Sequence, residues 1–274
     1  MNSSLVNIGI YLLNMCQFDI NKFDSGFLNN ILTKRMTETG CLTLDEYANL
    51  IENSKNESKI LTRSLQINYS EFFRNPLTFA VLENIILPSI QLKIKNTGRK
   101  EIRIWSAACA SGQEVYSLAI LLEELLKKNA NGIISYRIFA TDQSIHNLEN
   151  AKRGQYSIES IKNIQIQRFN QWFQKDGDVY SILPELKEKI DFSAFDLLDE
   201  ESGTPPASIY GDFDLVFCAN LLFYYKNEIR KKIIEKTGNC LSTGGFLVTG
   251  ETERDILLKN NYREVFPQSA IFQK

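Results

Sequence analysis

Hydrophobic and polar positions repeat with two different periods along this chain. In residues 1–65, apolar side chains such as Leu5, Ile8 and Leu12 recur every three to four positions, which predicts amphipathic helices. Three helices are expected there, at about 4–17, 24–38 and 43–53. Arg35, near the end of the second helix, is expected on a solvated face, with a docking surface for an acidic partner as the alternative. The region is therefore predicted to form a small all-helical domain.

From residue 66 onward, the pattern changes to alternating strands and helices. After a helix at about 76–95, five apolar runs of strand length are found, at about 101–107, 135–141, 189–193, 213–218 and 244–250. Helical patterns lie between them, at about 113–128, 143–152 and 227–241. Such alternation is typical of a mostly parallel sheet with helices on both faces. We therefore expect residues 66–274 to form one α/β domain.

Residues 154–188 interrupt this alternation. Phe169 and Trp172 give a predicted helix an aromatic face, and a turn at 175–178 leads into a short apolar run at 179–183. The segment is therefore predicted to be a small inserted subdomain of helix and β structure. A packing role and a role in substrate recognition are both compatible with its composition.

Composition argues against several classes of function. A net charge of −2 over 274 residues is not typical of a general nucleic-acid binder. The single histidine, His146, argues against a Ser-His-Asp hydrolase, a Cys-His protease and a multi-histidine metal site. The five scattered cysteines form no C-x-x-C motif, as expected for reduced thiols in a cytoplasmic protein. Residues 1–18 lack the basic region of a signal peptide, and polar residues interrupt them, so no membrane insertion is expected.

The turn after the first predicted strand has features of a nucleoside site. Strand 101–107 leads into small residues around Gly112, and the next strand ends at Asp142. In α/β folds such a turn lets the backbone approach a ligand, and the acid binds ribose hydroxyls. Capping of the following helix is an alternative role for Asp142. With only one glycine in the turn, S-adenosylmethionine fits the pattern better than a dinucleotide such as NAD.

Six short sequence blocks along the chain are informative when taken together. They are Asn68-x-Ser-x-Phe-Phe-Arg74, Ile104-Trp-Ser-Ala-Ala-Cys-Ala-Ser-Gly-Gln-Glu-Val-Tyr-Ser117, Ala140-Thr-Asp142, Phe213-Asp-Leu-Val-Phe-Cys-Ala-Asn220, Tyr224 and Leu241-x-x-Gly-Gly-x-Leu-x-x-Gly-x-x-Glu253. Together they resemble the CheR family, the chemoreceptor glutamate methyltransferases. The resemblance spans nearly the whole chain. It implies a Rossmann-like class I S-adenosylmethionine-dependent methyltransferase domain beside an all-α N-terminal domain.

The resemblance also implies an activity and a set of site residues. Family members transfer a methyl group from S-adenosylmethionine to glutamate side chains on the cytoplasmic helices of chemoreceptors, leaving S-adenosylhomocysteine and using no metal. Carried over by position, the implied cofactor contacts are Asn68, Ser70, Arg74, Glu114, Asp142, Asp196, Leu197, Ala219 and Asn220. Tyr224 and Arg103 are implied to lie near the transferred methyl group and the incoming carboxylate. For Arg103, pairing with a surface acid is the alternative.

Several features depart from the family pattern. Ala219 stands where the family has arginine, and Asp196 stands where it commonly has asparagine. The turn at 175–178 is short where receptor-tail-binding members have a glycine-rich insertion. By resemblance, we therefore expect no binding of a receptor C-terminal pentapeptide. The protein is also expected to be a monomer. A cofactor-binding protein without turnover, a docking module based on the N-terminal helices, and a methyltransferase for another carboxylate remain alternatives.

Overall fold

The computed structural model describes residues 3–66, 69–128, 134–208 and 210–274. The chain forms two compact units. The first consists of Met1–Ile67 together with Leu222–Arg230, and the second of Asn68–Leu221 together with Lys231–Lys274. The sequence pattern suggested a division near residue 65 but did not indicate that a segment from the second half of the chain belongs to the first unit.

Within the described residues 3–66, the first unit contains four helices. They are α1 (Ser3–Cys16), α2 (Ser25–Thr39), α3 (Leu44–Asn53) and α4 (Lys55–Ser64). Helix α4 was not predicted, because two of its buried residues, Glu57 and Ser58, are polar and leave little hydrophobic periodicity. Its N-terminus is defined by Ser54, whose hydroxyl accepts a hydrogen bond from the backbone N–H of Glu57.

Arg35 is buried, so the expectation that it lies on a solvated face is wrong. Its Nε and Nη2 atoms donate to the two carboxylate oxygens of Glu57 at 2.9 and 2.6 Å. The hydroxyl of Tyr47 donates to the same carboxylate at 2.7 Å. A buried guanidinium requires such a paired acid. The acid comes from α4, the helix that the sequence pattern did not predict.

The segment Leu222–Arg230 is attached to the first unit by backbone and ring contacts. Phe23 and Tyr225 form an isolated antiparallel bridge, and their rings stack with centroids 5.3 Å apart. The backbone N–H of Lys226 donates to the carbonyl of Lys22 at 3.0 Å. These contacts explain why this segment belongs with the N-terminal helices.

The second unit is an α/β structure. Its helices are α5 (Pro76–Val81), α6 (Leu87–Thr97), α7 (Gln113–Lys128), α8 (Ile145–Arg153), α9 (Ile166–Trp172), α10 (Pro184–Lys187), α11 (Asn227–Asn239), whose first turn belongs to the first unit, and α12 (Arg254–Leu258). Its strands are β1 (Glu101–Ala107), β2 (Ser135–Asp142), β3 (Gln155–Tyr156), β4 (Phe173–Asp176), β5 (Val179–Ile182), β6 (Ile190–Ala194), β7 (Phe213–Phe217), β8 (Leu241–Val248), β9 (Arg263–Glu264) and β10 (Ile271–Gln273).

The central sheet has the strand order β6-β2-β1-β7-β8-β10-β9. The first five strands are parallel, and β10 is antiparallel to both neighbours. The predicted α/β fold with a mostly parallel sheet is therefore confirmed. Strands β9 and β10 were not predicted, because two and three residues are too short to show a period. Starting from β1, the chain adds β2 and β6 on one side of the sheet and later β7 and β8 on the other. This switch point makes the carboxyl ends of β1 and β7 the expected ligand site.

Helices α5 and α6 are joined by one π-helical turn, Leu82–Ile86. The register changes just before Pro88, which has no N–H for the next helical hydrogen bond. Among the described residues, only the helix Pro76–Thr97 is long and apolar enough to cross a membrane, and half of its most apolar window is buried. A core helix passes the same test of length and composition.

The segment 154–188 contains a second, antiparallel sheet of order β3-β5-β4. Helix α9 lies between β3 and β4 in the chain, and α10 follows β5. Aromatic residues of this segment lie inside the fold: Trp172 at the end of α9 is fully buried, and Phe173 of β4 and Tyr180 of β5 are nearly so. Packing thus accounts for the aromatic pattern of this inserted subdomain.

Candidate functional site

A cleft of about 410 Å³, counting its open mouth, lies at the carboxyl ends of β1 and β7. This is where the direction of strand progression reverses, the usual ligand site of an open α/β sheet. The residues that line it are Tyr69, Ser70, Glu71, Arg74, Asn75, Phe79, Ala108, Ala110, Glu114, Phe217, Ala219 and Asn220.

The backbone around the cleft is held in the left-handed region at four non-glycine residues. The φ angles are +49° at Phe73, +65° at Ala108, +46° at Ala110 and +59° at Asn220. Each such residue costs roughly 1–3 kcal/mol and persists only where its surroundings fix it. Two of the surrounding groups are the buried carboxylates of Asp142 and Glu253.

Asp142 fixes the turn that follows β1. Its Oδ2 accepts a hydrogen bond from the backbone N–H of Ala110 at 2.9 Å. Its Oδ1 accepts from the backbone N–H of Ser144 at 2.8 Å and from Nδ2 of Asn147 at 3.3 Å. Burial raises the pKa of the carboxyl group, and these hydrogen bonds oppose the rise. The carboxylate therefore connects the end of β2 to the cleft backbone and to the start of α8.

Glu253 fixes the loop that follows β7 in the same way. It is fully buried, and its Oε2 accepts hydrogen bonds from the backbone N–H groups of Asn220 at 2.8 Å and Gly250 at 2.7 Å. Sequence reasoning did not assign it a role, although it ends the last of the six blocks. The signal was its position three residues after Gly250, the spacing of a capping box.

Among the charged residues that line the cleft, Glu114 contributes a carboxyl group and Arg74 a guanidinium. The hydroxyl of Ser106 donates to Oε1 of Glu114 at 2.8 Å. Burial raises the pKa of Glu114 to about 8, although Ser106 and the charge of Arg74 oppose the rise. The guanidinium carbon of Arg74 lies 5.1 Å from the ring centroid of Tyr69. The cleft can therefore bind a ligand that carries both an ammonium group and a carboxylate.

Comparison with known proteins identifies the family of this chain. Residues 68–271 match the family described as CheR methyltransferase, SAM binding domain. The chain belongs to the CheR methyltransferase family. Residues 68–271 are its domain for S-adenosylmethionine, and the cleft lies entirely within them.

Two relatives show how far the similarity extends. The chain is 29% identical over 260 residues to chemotaxis protein methyltransferase 1 of Pseudomonas aeruginosa, covering 93% of this chain and 92% of that protein. It is 32% identical over 228 residues to a chemotaxis protein methyltransferase of Borreliella burgdorferi, covering 81% and 77%. The first of these alignments includes most of the N-terminal helical unit as well as the CheR domain.

The structure brings together five of the cofactor contacts carried over from the CheR family. These are Ser70, Arg74, Glu114, Ala219 and Asn220, which all line the cleft. Asp142 acts on it through the backbone of Ala110. Of the residues that the structure describes, the cleft-lining set does not include Asp196 or Leu197.

The remaining residues that the resemblance implied as cofactor contacts lie elsewhere or outside the described ranges. Asp196 is exposed, and its Oδ1 accepts from the backbone N–H of Leu198 at 2.8 Å. Leu197 is buried and borders a different cavity, against α11. Asn68 lies outside the described residues. The loop after β6 therefore lies at the carboxyl end of the sheet, but its described residues do not line the cleft.

Arg103 is held within the sheet rather than in the CheR cleft. Its Nη2 donates to Oγ of Ser208 at 2.7 Å and to the carbonyl of Gly211 at 3.2 Å. Its guanidinium lies over the ring of Phe139, 4.8 Å from the centroid. Arg103 is four residues before the end of β1, and it is not among the described cleft-lining residues. These contacts favour the alternative interpretation, a strand residue paired with nearby groups, including Glu101 at 3.7 Å.

Tyr224 belongs to the first unit. It ends a 3-10 turn, Leu222–Tyr224, and its ring meets that of Phe27 edge-on with centroids 4.7 Å apart. Its carbonyl accepts from the backbone N–H of Asp24 at 2.8 Å. The half-buried side chain is therefore fixed by the start of α2, an arrangement that the sequence pattern did not indicate.

Gly112, in the turn after β1, is required for two separate reasons. Its φ is +90°, and an added Cβ would lie 2.9 Å from the Cβ of Ala151 in α8. We expect Gly112→Ala to lower the free energy of unfolding by about 2–4 kcal/mol, because backbone strain and steric overlap add. Chemical denaturation measures the difference.

Gly177→Ala is the matched control for this prediction. Its φ of +60° is also left-handed, but no heavy atom of the described residues lies within 4 Å of an added Cβ. A loss of only about 1–2 kcal/mol is therefore expected there. Equal losses in the two variants would show that close packing of the turn on α8 contributes nothing.

Proposed function

We propose that this CheR-family protein transfers a methyl group from S-adenosylmethionine to glutamate side-chain carboxylates on the cytoplasmic helices of chemoreceptors. The observation that carries the proposal is the cleft at the β1–β7 switch point, with Arg74 and Glu114 on its wall. Two relatives that match most of the chain are named chemotaxis protein methyltransferases. That name is the support for a chemoreceptor as the acceptor.

The cleft residues fit the charged groups of this cofactor. Arg74 would bind its carboxylate, and Glu114, as a carboxylate, would bind its ammonium group. Ser70 and Asn220 offer polar side chains on the same walls. The small side chains of Ala108 and Ala110, both on left-handed backbone, leave room for a nucleoside to approach the main chain.

The chemistry requires orientation rather than proton transfer. The cofactor supplies a methyl group on a positively charged sulfur. A glutamate acceptor, with an ordinary pKa of about 4.3, is already ionised at neutral pH and needs no general base. This agrees with a chain whose one histidine, His146, is exposed on α8. The protein has to align the two groups and exclude water. We assign to Tyr224 a hydrogen bond to the acceptor carboxylate.

Receptor recognition is proposed to use the helical substrate itself. The turn between β4 and β5 is short, with Gly177 at its tip, and leaves no insertion for a tail peptide. We therefore propose that the enzyme does not bind a receptor C-terminal pentapeptide. We also propose that it acts in the cytoplasm as a monomer and without a metal.

Labelled methyl transfer tests the proposed function. The purified chain is incubated with methyl-labelled S-adenosylmethionine and a helical cytoplasmic fragment of a chemoreceptor. We expect the fragment to become labelled, and we expect base to release the label as methanol, as it does from a methyl ester. No label should be found after the acceptor glutamates of the fragment are replaced by glutamine. Cofactor binding with no transfer to any receptor fragment would favour the alternative without turnover, to which Ala219 in place of the family arginine points.

Cofactor affinity should depend on pH through Glu114. The ammonium group of the bound cofactor favours the ionised form of Glu114. At any pH where Glu114 is protonated in the free protein, binding therefore releases that proton. Because the pKa of Glu114 is raised to about 8, affinity should rise by up to about tenfold per pH unit below pH 8 and level off above it. Calorimetric titration of S-adenosylhomocysteine from pH 6 to pH 9 measures this.

Glu114→Gln separates this effect from the titration of the ligand. The ligand's own α-amino group also titrates, but that titration affects binding to both proteins alike. The difference between wild type and variant should therefore increase with pH. A difference that is the same at pH 6 and pH 9 would remove Glu114 from the ammonium site.

A further inference from the structure

The two loops that border the cleft are both attached to the inserted subdomain, residues 154–188. One loop is the turn 108–112 after β1, and the other is the segment 70–74 before α5. The subdomain residues that make the attachments, Tyr156 and Arg168, were not among the predicted site residues.

Tyr156 in β3 attaches the turn after β1. Its hydroxyl donates to the carbonyl oxygen of Ser111 at 2.8 Å. The residue is 6% exposed, and burial raises the pKa of the hydroxyl, so it remains a donor at neutral pH. Ser111 follows Ala110, whose backbone lines the cleft. Asp142 holds this turn from one side, and Tyr156 holds it from the other.

The ring of Tyr156 also supports the segment before α5. It meets the ring of Phe72 edge-on, with centroids 4.9 Å apart, and Phe173 of β4 contacts the same ring at 5.5 Å. Phe72 is fully buried. Arg74, two residues later, lines the cleft. One subdomain side chain therefore contacts both loops.

Arg168 in α9 supports the next residue of that segment. Its guanidinium lies over the ring of Phe73, 5.1 Å from the centroid. Nη2 of Arg168 lies 2.7 Å from Oε1 of Glu83 in the π turn and 2.8 Å from Oε2 of Glu124 in α7. Because two carboxylates fix the buried guanidinium, it acts as a rigid support for a residue whose φ is +49°. Arg74 is the next residue in the chain.

We infer that the inserted subdomain maintains the shape of the cofactor cleft, with Tyr156 and Arg168 as positioning residues. Tyr156 sets the turn after β1, and Arg168 sets the segment that carries Arg74. Both residues act on cofactor affinity through the loops that they hold. This inference rests on the proposed cofactor site, but it does not depend on the identity of the methyl acceptor.

Calorimetric titration of S-adenosylhomocysteine into the full chain tests Tyr156. Tyr156→Phe removes the hydrogen bond to Ser111 and keeps the ring, so Kd should rise about three- to tenfold. The KM for S-adenosylmethionine should rise in parallel, while kcat at saturating cofactor changes little. Tyr180→Phe is the matched control, because Tyr180 lies opposite Tyr156 in the β3–β5 pair and packs on Phe169. Its Kd should stay within about twofold of wild type.

Arg168→Lys tests the second attachment. It keeps a positive charge beside Glu83 and Glu124 but loses the planar group over Phe73, so Kd should rise about two- to fivefold. A Kd equal to wild type in both Tyr156→Phe and Arg168→Lys would overturn the inference, as would an equal rise in Tyr180→Phe. Absence of binding to the folded wild type would instead contradict the cofactor site itself, so the two failures are distinguishable.

Discussion

Arg74→Ala is expected to reduce methyl transfer at least about a hundredfold, because a charge-assisted contact to the cofactor carboxylate is lost. Removal of this cation also raises the pKa of Glu114 further, since Arg74 opposes the effect of burial on that carboxyl group. Both changes weaken cofactor binding. The melting temperature should change little, because Arg74 is only half-buried and stacks on the exposed ring of Tyr69.

Two variants make the Arg74 result specific. Arg263→Ala removes an exposed cation from β9, on the same unit, and should leave transfer unchanged. Arg74→Lys keeps the charge without the planar fork and should recover part of the activity. Full activity of Arg74→Ala at limiting cofactor would remove Arg74 from the site.

Asp142→Ala is the second change with a large expected effect. It leaves the N–H groups of Ala110 and Ser144 without their acceptor, so the turn after β1 loses its fixed conformation. We expect Kd for S-adenosylhomocysteine to rise about a hundredfold, the effect of losing roughly 3 kcal/mol of preorganised contacts. Calorimetry measures the affinity. The free energy of unfolding should also fall, by about 1–3 kcal/mol, because buried donors are left unpaired.

Asp142→Asn tests whether the site needs a carboxylate or only a side chain of the same size. An amide cannot accept hydrogen bonds through both of its outer atoms, so either Ala110 or Ser144 must lose its partner. An affinity close to that of the Ala variant is therefore expected. Asp178→Ala, at the exposed end of the β4–β5 turn, is the control acid and should bind as wild type does. Unchanged affinity in Asp142→Ala would exclude the turn as part of the site.

The sequence pattern predicted the parts of the fold that have long apolar periods. The five parallel strands and helices α7, α8 and α11 show such periods and are present close to their predicted positions. Helix α4 has a mostly polar buried face, and strands β9 and β10 have only two and three residues. Their formation depends on partners that are distant in sequence, such as Arg35 for Glu57.

The candidate site, too, could be predicted from the sequence only in part. The resemblance of the six blocks to the CheR family implied Arg74 and Glu114 as cofactor contacts, and both line the cleft. The support of strained backbone by Asp142 and Glu253 could not be predicted, because φ angles and the directions of N–H groups are set by the assembled fold. The contacts of Arg103 with Phe139 and Ser208 likewise connect separate elements, so its strand position alone did not reveal them.

The most direct test of the cofactor site is a crystal structure of the chain with S-adenosylhomocysteine. We predict that the ligand lies between the turn at Ala108–Ala110 and the end of β7, with Arg74 and Glu114 in contact with its amino-acid group. The same structure would locate Tyr224 and Arg103 relative to the sulfur atom. Ligand bound elsewhere, or bound in the cleft without contact to either Arg74 or Glu114, would contradict the site proposed for this CheR-family protein.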